Sequence, residues 1–187
     1  KFTYIAPTSQ GETLLPETTK ENPLSIPDSQ IKAEFSSRDG VIATITLPYT
    51  DPDDSSTFAS IHDNPPGVPT NYPAMIYKEF GKGKIIWSSA SIETNATRCL
   101  KHRVIFTHII ESLARKPFSF EAQAPGCVEI VQFHKSDEKR YLSNIVNFQS
   151  EIGMPNIPVD NVVLKIKAKG KPLRAMLLPG EKPIPFK

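Results

Sequence analysis

The sequence is poor in cysteine, in glycine and in long apolar runs, and each shortage argues against a class of protein. Its two cysteines, Cys99 and Cys127, are too few for the disulfide framework of a small secreted domain, and a cytoplasmic location is slightly favoured over secretion. No apolar run approaches the roughly 20 residues that cross a bilayer, so we expect no membrane partner. Nine glycines stand against 18 prolines, a balance that suits short strands and rigid loops better than a helical bundle.

Charge of one sign is also in short supply. The 22 Lys+Arg and 20 Asp+Glu residues give a net charge of +2 over 187 residues. A dedicated nucleic-acid binder usually has a concentrated basic face, so we expect no nucleic-acid partner. Hydrophobic residues make up 39% of the chain, which is enough for a packed core. The chain does not begin with methionine, and we expect it to be a portion of a longer protein.

Period-two alternation of apolar and polar residues predicts two β-hairpins in the first half of the chain. The first comprises residues 31–36 and 41–47 on either side of the turn Arg38-Asp39-Gly40. The second comprises residues 74–80 and 85–90 around a Gly-Lys-Gly-Lys turn. Its Ile-Ile-Trp run at residues 85–87 predicts a strand that is covered on both faces, which would bury the only tryptophan.

Residues 49–73 have no periodicity, and they are the candidate functional segment. Loops longer than about 12–15 residues are usually functional or disordered. Several prolines restrict this segment, which lowers the entropy that it loses on ordering and suits a defined binding surface. We predict an interface with a protein subunit and a sugar at its edge; the alternative is a loop folded back over its own sheet. The candidate residues are the apolar Phe58, Ile61 and Tyr72 and the polar His62, Asp63 and Asn64.

One long helix is predicted over residues 93–115. Its apolar stripe consists of Cys99, Phe106, Ile109, Ile110 and Leu113. His102 lies on the same stripe, where a buried histidine bonded to a carbonyl is favoured over a metal ligand. Lys116-Pro117 ends the helix, because the residue before proline is excluded from the helical conformation, and it marks the boundary between domains 1–116 and 117–187.

After this boundary the pattern predicts strands only. They fall at residues 118–123, 127–134, 141–148, 161–168 and 173–178, with proline, glycine or charged residues between them. Regular short strands of this kind indicate a small antiparallel β-sandwich. Five strands are fewer than the usual seven, so the sandwich is expected to be incomplete or to be completed by a partner.

No motif in the chain indicates catalysis, a metal or a cofactor. The Gly-Lys-Gly-Lys turn joins two strands and lacks the P-loop spacing and the following helix. Neither cysteine lies on a nucleophile elbow or belongs to a Cys-x-x-Cys pair. The acidic residues of the 49–73 segment show neither calcium-loop spacing nor a pattern that would keep one carboxyl protonated, as a glycosidase requires. We therefore predict no catalytic residue, no metal ligand and no cofactor in this chain.

Four stretches of sequence carry a resemblance to a known family. They are FASIHDNPPGVPTNYPA at residues 58–74, YKEFGKGKIIW at 77–87, KPFSFEA at 116–122 and YLSNIVNF at 141–148. Together they resemble the C-terminal part of bacterial β-galactosidase-like glycoside hydrolases. The resemblance covers residues 2–178 and consists of loop and turn sequences rather than catalytic signatures.

The resemblance implies an α+β fold. Residues 1–116 would be the C-terminal portion of a flavodoxin-like, amidotransferase-like trimerisation domain with hairpins and one long helix, and residues 117–187 a small antiparallel β-sandwich. The implied function is non-catalytic assembly of the parent hydrolase, with a contribution to the rim of the substrate cleft. The implied partners are the parent's TIM-barrel domain, identical subunits and a carbohydrate.

Two alternatives come from other classes of protein. A stand-alone carbohydrate-binding or adhesion module would need an aromatic platform, and the predicted burial of Trp87 counts against it. A small independent hydrolase would need an acid/base or nucleophile constellation, which the sequence does not display.

Overall fold

The computed structural model describes residues 3–51, 55–56, 58, 64–96, 99–149 and 156–187. The chain divides into two compact units, Lys1–Ala114 (unit 1) and Arg115–Lys187 (unit 2). Within the described ranges, no helix is both long and apolar enough to cross a membrane.

Unit 1 is built on a five-stranded sheet in which every neighbouring pair is antiparallel, in the order β2-β1-β3-β4-β5. The third strand is rich in β-branched residues and lies at the centre of the sheet, where most of its side chains are buried. The strands are β1 (Thr3–Pro7), β2 (Leu24–Ile26), β3 (Val41–Pro48), β4 (Pro66–Phe80) and β5 (Gly83–Ser88).

Two helices follow the sheet, α1 (Ile92–Ala96) and α2 (Leu100–Leu113), where one was predicted. Cys99 separates them with an extended backbone (φ −124°, ψ 120°), which a continuous helix cannot contain. Ile105 and Ile109 of α2 join a buried cluster that includes Ile5 and Met75 of the sheet. The core of unit 1 therefore lies between the sheet and α2.

The predicted apolar stripe of the helix is correct only in part. Ile109 is buried and Phe106 and Leu113 pack against the core, but Cys99 and Ile110 are exposed. The stripe that is buried consists of His102, Ile105 and Ile109, spaced three and four residues apart as one helix face requires. The prediction of a buried histidine is confirmed, since His102 is 3% exposed and its Nε2 lies 2.8 Å from the Ser25 carbonyl oxygen.

The second hairpin is confirmed, but the first hairpin and the long loop are corrected. Residues 31–36 form no strand, because β1 and β4 occupy the two sides of β3. Strand β4 begins at Pro66, so the last part of the predicted 49–73 loop belongs to the sheet. The 85–87 run is not covered on both faces, since Ile85 is 53% exposed and Trp87 is half-buried.

Unit 2 contains three separate two-stranded antiparallel sheets, β6–β9, β7–β8 and β10–β11. None of its described residues is buried. Five of its strands overlap the predicted ones, although β9 and β10 are shorter, and β11 was not predicted. The strands are β6 (Phe120–Gln123), β7 (Val128–Lys135), β8 (Arg140–Asn147), β9 (Val163–Ile166), β10 (Met176–Leu177) and β11 (Lys182–Pro183). The described chain is therefore a mainly antiparallel α+β protein.

Candidate functional site

The candidate segment after β3 is closed at its base by hydrogen bonds. The Thr50 amide donates to Asn64 Oδ1 at 3.0 Å, and Asn64 Nδ2 donates to the Thr50 carbonyl at 3.1 Å. The Tyr4 hydroxyl donates to the Asn64 carbonyl, and the Tyr49 amide donates to the Pro65 carbonyl at 2.7 Å. These bonds hold the two ends of the segment together at the end of the β3–β4 pair, as in an Ω-loop.

Close approach of the backbone at this base requires a glycine. A Cβ atom on Gly67 would lie 2.4 Å from Tyr49 Cα, well inside van der Waals contact. Gly67 lies in β4 next to the residues that Asn64 clasps. We call the set of Thr50, Asn64 and Gly67 the loop clasp. It restricts the loop to residues 51–63, a shorter segment than the sequence predicted.

The structure gives the predicted site residues different positions. Asn64 belongs to the loop clasp, and Tyr72 lies within β4, half-buried beneath the Lys32 ammonium at 5.4 Å from the ring centroid. The Phe58 side chain is 92% exposed and therefore does not fold back over the sheet. The other three candidates, Ile61, His62 and Asp63, lie outside the described residues.

Two adjoining depressions, of about 260 and 200 Å³, lie on unit 1 beside Tyr72. Both are lined by Arg38 and Asn71, and we call them together the Arg38 cleft. The larger depression adds Phe35 and Tyr72, and the smaller one adds polar residues of the 8–10 segment. Amide, guanidinium and aromatic groups of this kind can bind the hydroxyls and the apolar face of a sugar.

Arg38 and Glu34 are the charged residues that line the larger depression. Asp39, the neighbour of Arg38 in the chain, pairs with Lys78 at 2.5 Å, and this hydrogen bond and charge hold the pKa of Asp39 below its usual value. Partial burial, followed by the hydrogen bond from its hydroxyl to Glu79, raises the pKa of Tyr77. Across the described part of the chain, no ion pair involves Arg38. The cleft thus presents the Arg38 guanidinium and the Glu34 carboxylate beside aromatic side chains.

Sequence reasoning did not find the Arg38 cleft. Arg38 was assigned to a hairpin turn, and Asn71 was assigned to a loop. The two residues come together because β4 pairs with β3, a contact between segments that are far apart in the sequence. The only sequence signal near the Arg38 cleft is the Arg-Asp-Gly turn, and a turn motif does not indicate that Asn71 lies beside Arg38.

The potential ligands and nucleophiles do not form a catalytic group. Among the residues that the structure describes, no three His, Cys, Asp or Glu side chains lie close enough to hold a metal ion. His134 stacks on Tyr141 with ring centroids 4.5 Å apart, and both cysteines are free.

The chain matches no protein-family model, no curated protein and no solved structure. The resemblance to β-galactosidase-like hydrolases therefore depends on the four stretches of sequence given above and remains a hypothesis.

Proposed function

We propose that this chain is a non-catalytic assembly portion of a β-galactosidase-like glycoside hydrolase. One observation carries the proposal: unit 2 contains strands with exposed apolar side chains, and none of its described residues is buried. Its exposed large apolar side chains include Phe133, Phe148 and Leu173, which are 50%, 64% and 95% exposed. Where such side chains form a contiguous surface, they mark an interaction site. The partners in this proposal are the parent's TIM-barrel domain and identical subunits.

The strand pairs of unit 2 support the finer assignment of a β-sandwich. In the β6–β9 pair, Phe120 lies opposite Ile166 and Ala122 opposite Leu164, so these apolar residues share one face. In the β7–β8 pair, Ile130 lies opposite Ile145. A sandwich is built from two sheets that each have an apolar face. The β6–β9 pair has such a face, and in the β7–β8 pair Ile130 and Ile145 share their face with Gln132 and Ser143. Because none of these residues is buried, the sandwich of the proposal is completed by a partner.

Unit 1 supplies the flavodoxin-like, amidotransferase-like portion in this proposal, and its loop supplies an assembly contact. The loop clasp fixes the ends of the loop, and Phe58 stands exposed between them. An exposed aromatic residue on a loop with fixed ends resembles the anchors found at protein interfaces. The Arg38 cleft, on the same unit, would lie at the rim of the substrate cleft.

The reading frame that encodes the chain tests the proposal most directly. We expect a TIM barrel with two catalytic glutamates upstream of Lys1. A start codon directly before Lys1 together with a stop codon directly after Lys187 would contradict the proposal. The 187-residue chain should also hydrolyse no nitrophenyl galactoside; activity that survives repurification and is lost with a single carboxylate substitution would assign the chemistry to this chain.

The loop contact is tested in the full-length parent protein by replacing residues 52–62 with a Gly-Ser linker. The loop clasp stays intact in this variant, so unit 1 should remain folded. Light scattering should then show a smaller assembly or dissociation at higher protein concentration than in the wild type. A Phe58→Ala variant is the matched point change, and an unchanged mass in both variants would exclude the loop from the interface.

A second candidate function is supported by the aromatic side chains of unit 1. Trp87 is only half-buried and makes an edge contact with Phe35 at a centroid distance of 5.6 Å, and Phe35 lines the Arg38 cleft. The objection to a carbohydrate-binding module, that its tryptophan would be buried, is thereby removed. Titration with mono- and oligosaccharides, followed by Trp87 fluorescence, tests this candidate with Phe35→Ala as the variant that should abolish the change.

A further inference from the structure

The two edge strands of the unit 1 sheet, β2 and β5, differ in what covers them. At the β2 edge, His102 of α2 bonds the Ser25 carbonyl oxygen at 2.8 Å and is almost fully buried there. Since a carbonyl oxygen only accepts, the histidine Nε2 donates this bond. Covering an edge with a helix in this way prevents it from pairing with another chain. The β2 edge is therefore closed.

Among the described residues, the β5 edge has a main-chain partner only beyond its last residue, where the Ile31 amide donates to the Ser89 carbonyl at 3.2 Å. The Ser89 amide donates to the Ala74 carbonyl at 2.8 Å, whereas the Tyr77 amide donates away from β5, to the Gly40 carbonyl, also at 2.8 Å. Tyr77 lies opposite Ile86, so the backbone groups of Ile86 point away from β4, because bonded and non-bonded pairs alternate in an antiparallel ladder. By the same alternation, three residues face outward: Lys84, Ile86 and Ser88. No backbone partner for these three is found in the described part of the chain.

Strand β5 has few of the features that usually protect an edge, and Lys84 is the single charged residue within it. Its pairing with β4 runs without a bulge from Met75↔Ser88 to Phe80↔Gly83, and it contains no proline. Ile85 remains 53% exposed and Trp87 is half-buried. The strand thus presents free backbone groups next to partly exposed apolar side chains.

We propose that β5 pairs antiparallel with β5 of a second copy of this chain, with Ile86 opposite Ile86 across a two-fold axis. This register uses all three outward-facing residues of both strands, whereas a shift by one bonded pair in either direction uses only two of them. It places Ile85 opposite Trp87 of the second copy, an aromatic and β-branched pair of the kind that stabilises sheets. The inference goes beyond the proposed assembly function and does not depend on the identity of the parent enzyme.

Charge favours a second copy in this register. The outward-facing residues carry one lysine, Lys84, at one end and Ser88 at the other. Two-fold antiparallel pairing sets each Lys84 opposite Ser88 of the second copy and keeps the two lysines at opposite ends of the contact. Parallel pairing in register would place the lysines side by side, and like charges directly opposite one another destabilise a sheet.

Disulfide cross-linking of the 187-residue chain tests the register. In a Cys99→Ser, Cys127→Ser background, Ile86→Cys should form a linked dimer with oxidised glutathione. The two Cα atoms of such a bonded pair lie about 5.5 Å apart, within the range that a disulfide spans. Lys84→Cys alone is the control, because its two copies would lie on the order of 13 Å apart. A mixture of Lys84→Cys and Ser88→Cys chains should cross-link again.

A second variant blocks pairing at the outer edge of β5 and leaves the strand in place. Because the Ile86 amide faces outward, Ile86→Pro keeps the β4–β5 bonds but blocks the partner strand. Sedimentation should show a dimer dissociation constant raised at least about tenfold, while Ile86→Val should leave it near the wild-type value. Self-association that persists in Ile86→Pro, together with no cross-link through residue 86, would overturn the pairing but leave assembly by other surfaces intact. A monomeric wild-type chain at all concentrations would also overturn it. A reading frame without a TIM barrel would overturn the proposed parent enzyme and leave the pairing standing.

Discussion

Unit 1 and unit 2 contain similar short antiparallel strands, yet among the described residues only those of unit 1 form a core. In unit 1, Ile5, Ile45 and Ile105 are at most 1% exposed. In unit 2, no described residue is buried, and 13 large apolar side chains from Val131 to Phe186 are exposed. The two units therefore differ in coverage rather than in apolar content.

The cause of this difference is topological. In unit 1, five strands pair through contacts that are distant in sequence, and α2 packs Ile105 and Ile109 into the resulting cluster. In unit 2, each sheet has only two strands, and an isolated two-stranded sheet is marginally stable in water. Alternating apolar residues can specify a strand, but a second layer is needed to exclude water from it.

The largest expected effect is in the core of unit 1. Ile105→Ala should lower the free energy of unfolding by about 2–5 kcal/mol, because it leaves a cavity at a fully buried site. Ile110→Ala, on the same helix but 48% exposed, should cost less than about 1 kcal/mol. Urea unfolding measures both, and equal costs would mean that α2 does not pack through the Ile105 stripe.

The next effect concerns the closed β2 edge. His102→Ala should cost about 1–3 kcal/mol, because the Ser25 carbonyl loses its partner and a buried ring is removed. His102→Gln should recover part of this loss, since its amide can donate to the same carbonyl. The comparison by urea unfolding separates the hydrogen bond from simple packing, and no recovery in His102→Gln would assign the whole effect to packing.

A smaller effect is expected in unit 2. Phe133→Ala should change the stability of the 187-residue chain by less than about 1 kcal/mol, because the ring is already 50% exposed. A buried aromatic residue would cost about 3–5 kcal/mol. Hydrogen exchange of β7 and β8 should likewise be fast in this chain. A loss in the buried range would mean that Phe133 belongs to a core within unit 2 itself, and the contrast between the units would fail.

Local signals explain which elements the sequence predicted. The β4–β5 hairpin was predicted because its turn and its alternation lie within one short segment, and α2 was predicted from its apolar spacing. The prediction of the first hairpin was wrong: residues 31–36 show the same alternation of apolar and polar residues, but β1 and β4 occupy both positions beside β3. The choice of β1 and β4 as neighbours of β3 depends on distant pairing, which alternation does not encode.

The candidate site was predicted less well than the β4–β5 hairpin and α2, because it also depends on pairing between distant segments. Loop length and prolines indicated a special segment, but the clasp between Asn64 and Thr50 and the place of Tyr72 in β4 follow from strand pairing. The interface role of Phe58 stays a prediction. The Arg38 cleft was not predicted from the sequence, because its residues come from three separate segments of the chain.

The smallest expected effect is the contribution of one carboxyl in each unit to stability, and the two units should respond to pH in the same way. In unit 1, the hydrogen bond from Lys78 lowers the pKa of Asp39 from its usual 3.8. In unit 2, the hydrogen bond from Lys135 and the contact with Arg140 lower the pKa of Glu138 from its usual 4.5. A carboxyl whose pKa is lower in the folded chain stabilises the fold above its unfolded pKa, and the contribution is lost as the pH falls through the folded pKa. Both contributions should therefore be present at neutral pH and disappear below about pH 4, and both are small because the groups are exposed.

Carboxyl titration by NMR checks this prediction. Lys78→Gln should return the pKa of Asp39 towards 3.8 and leave Glu138 unchanged. Lys135→Gln should return the pKa of Glu138 only partly towards 4.5, because Arg140 remains beside it. If Glu138 instead titrated at its usual value in the wild type, the β7–β8 turn would be unfolded in solution, and unit 2 would lack ordered strands as well as a core.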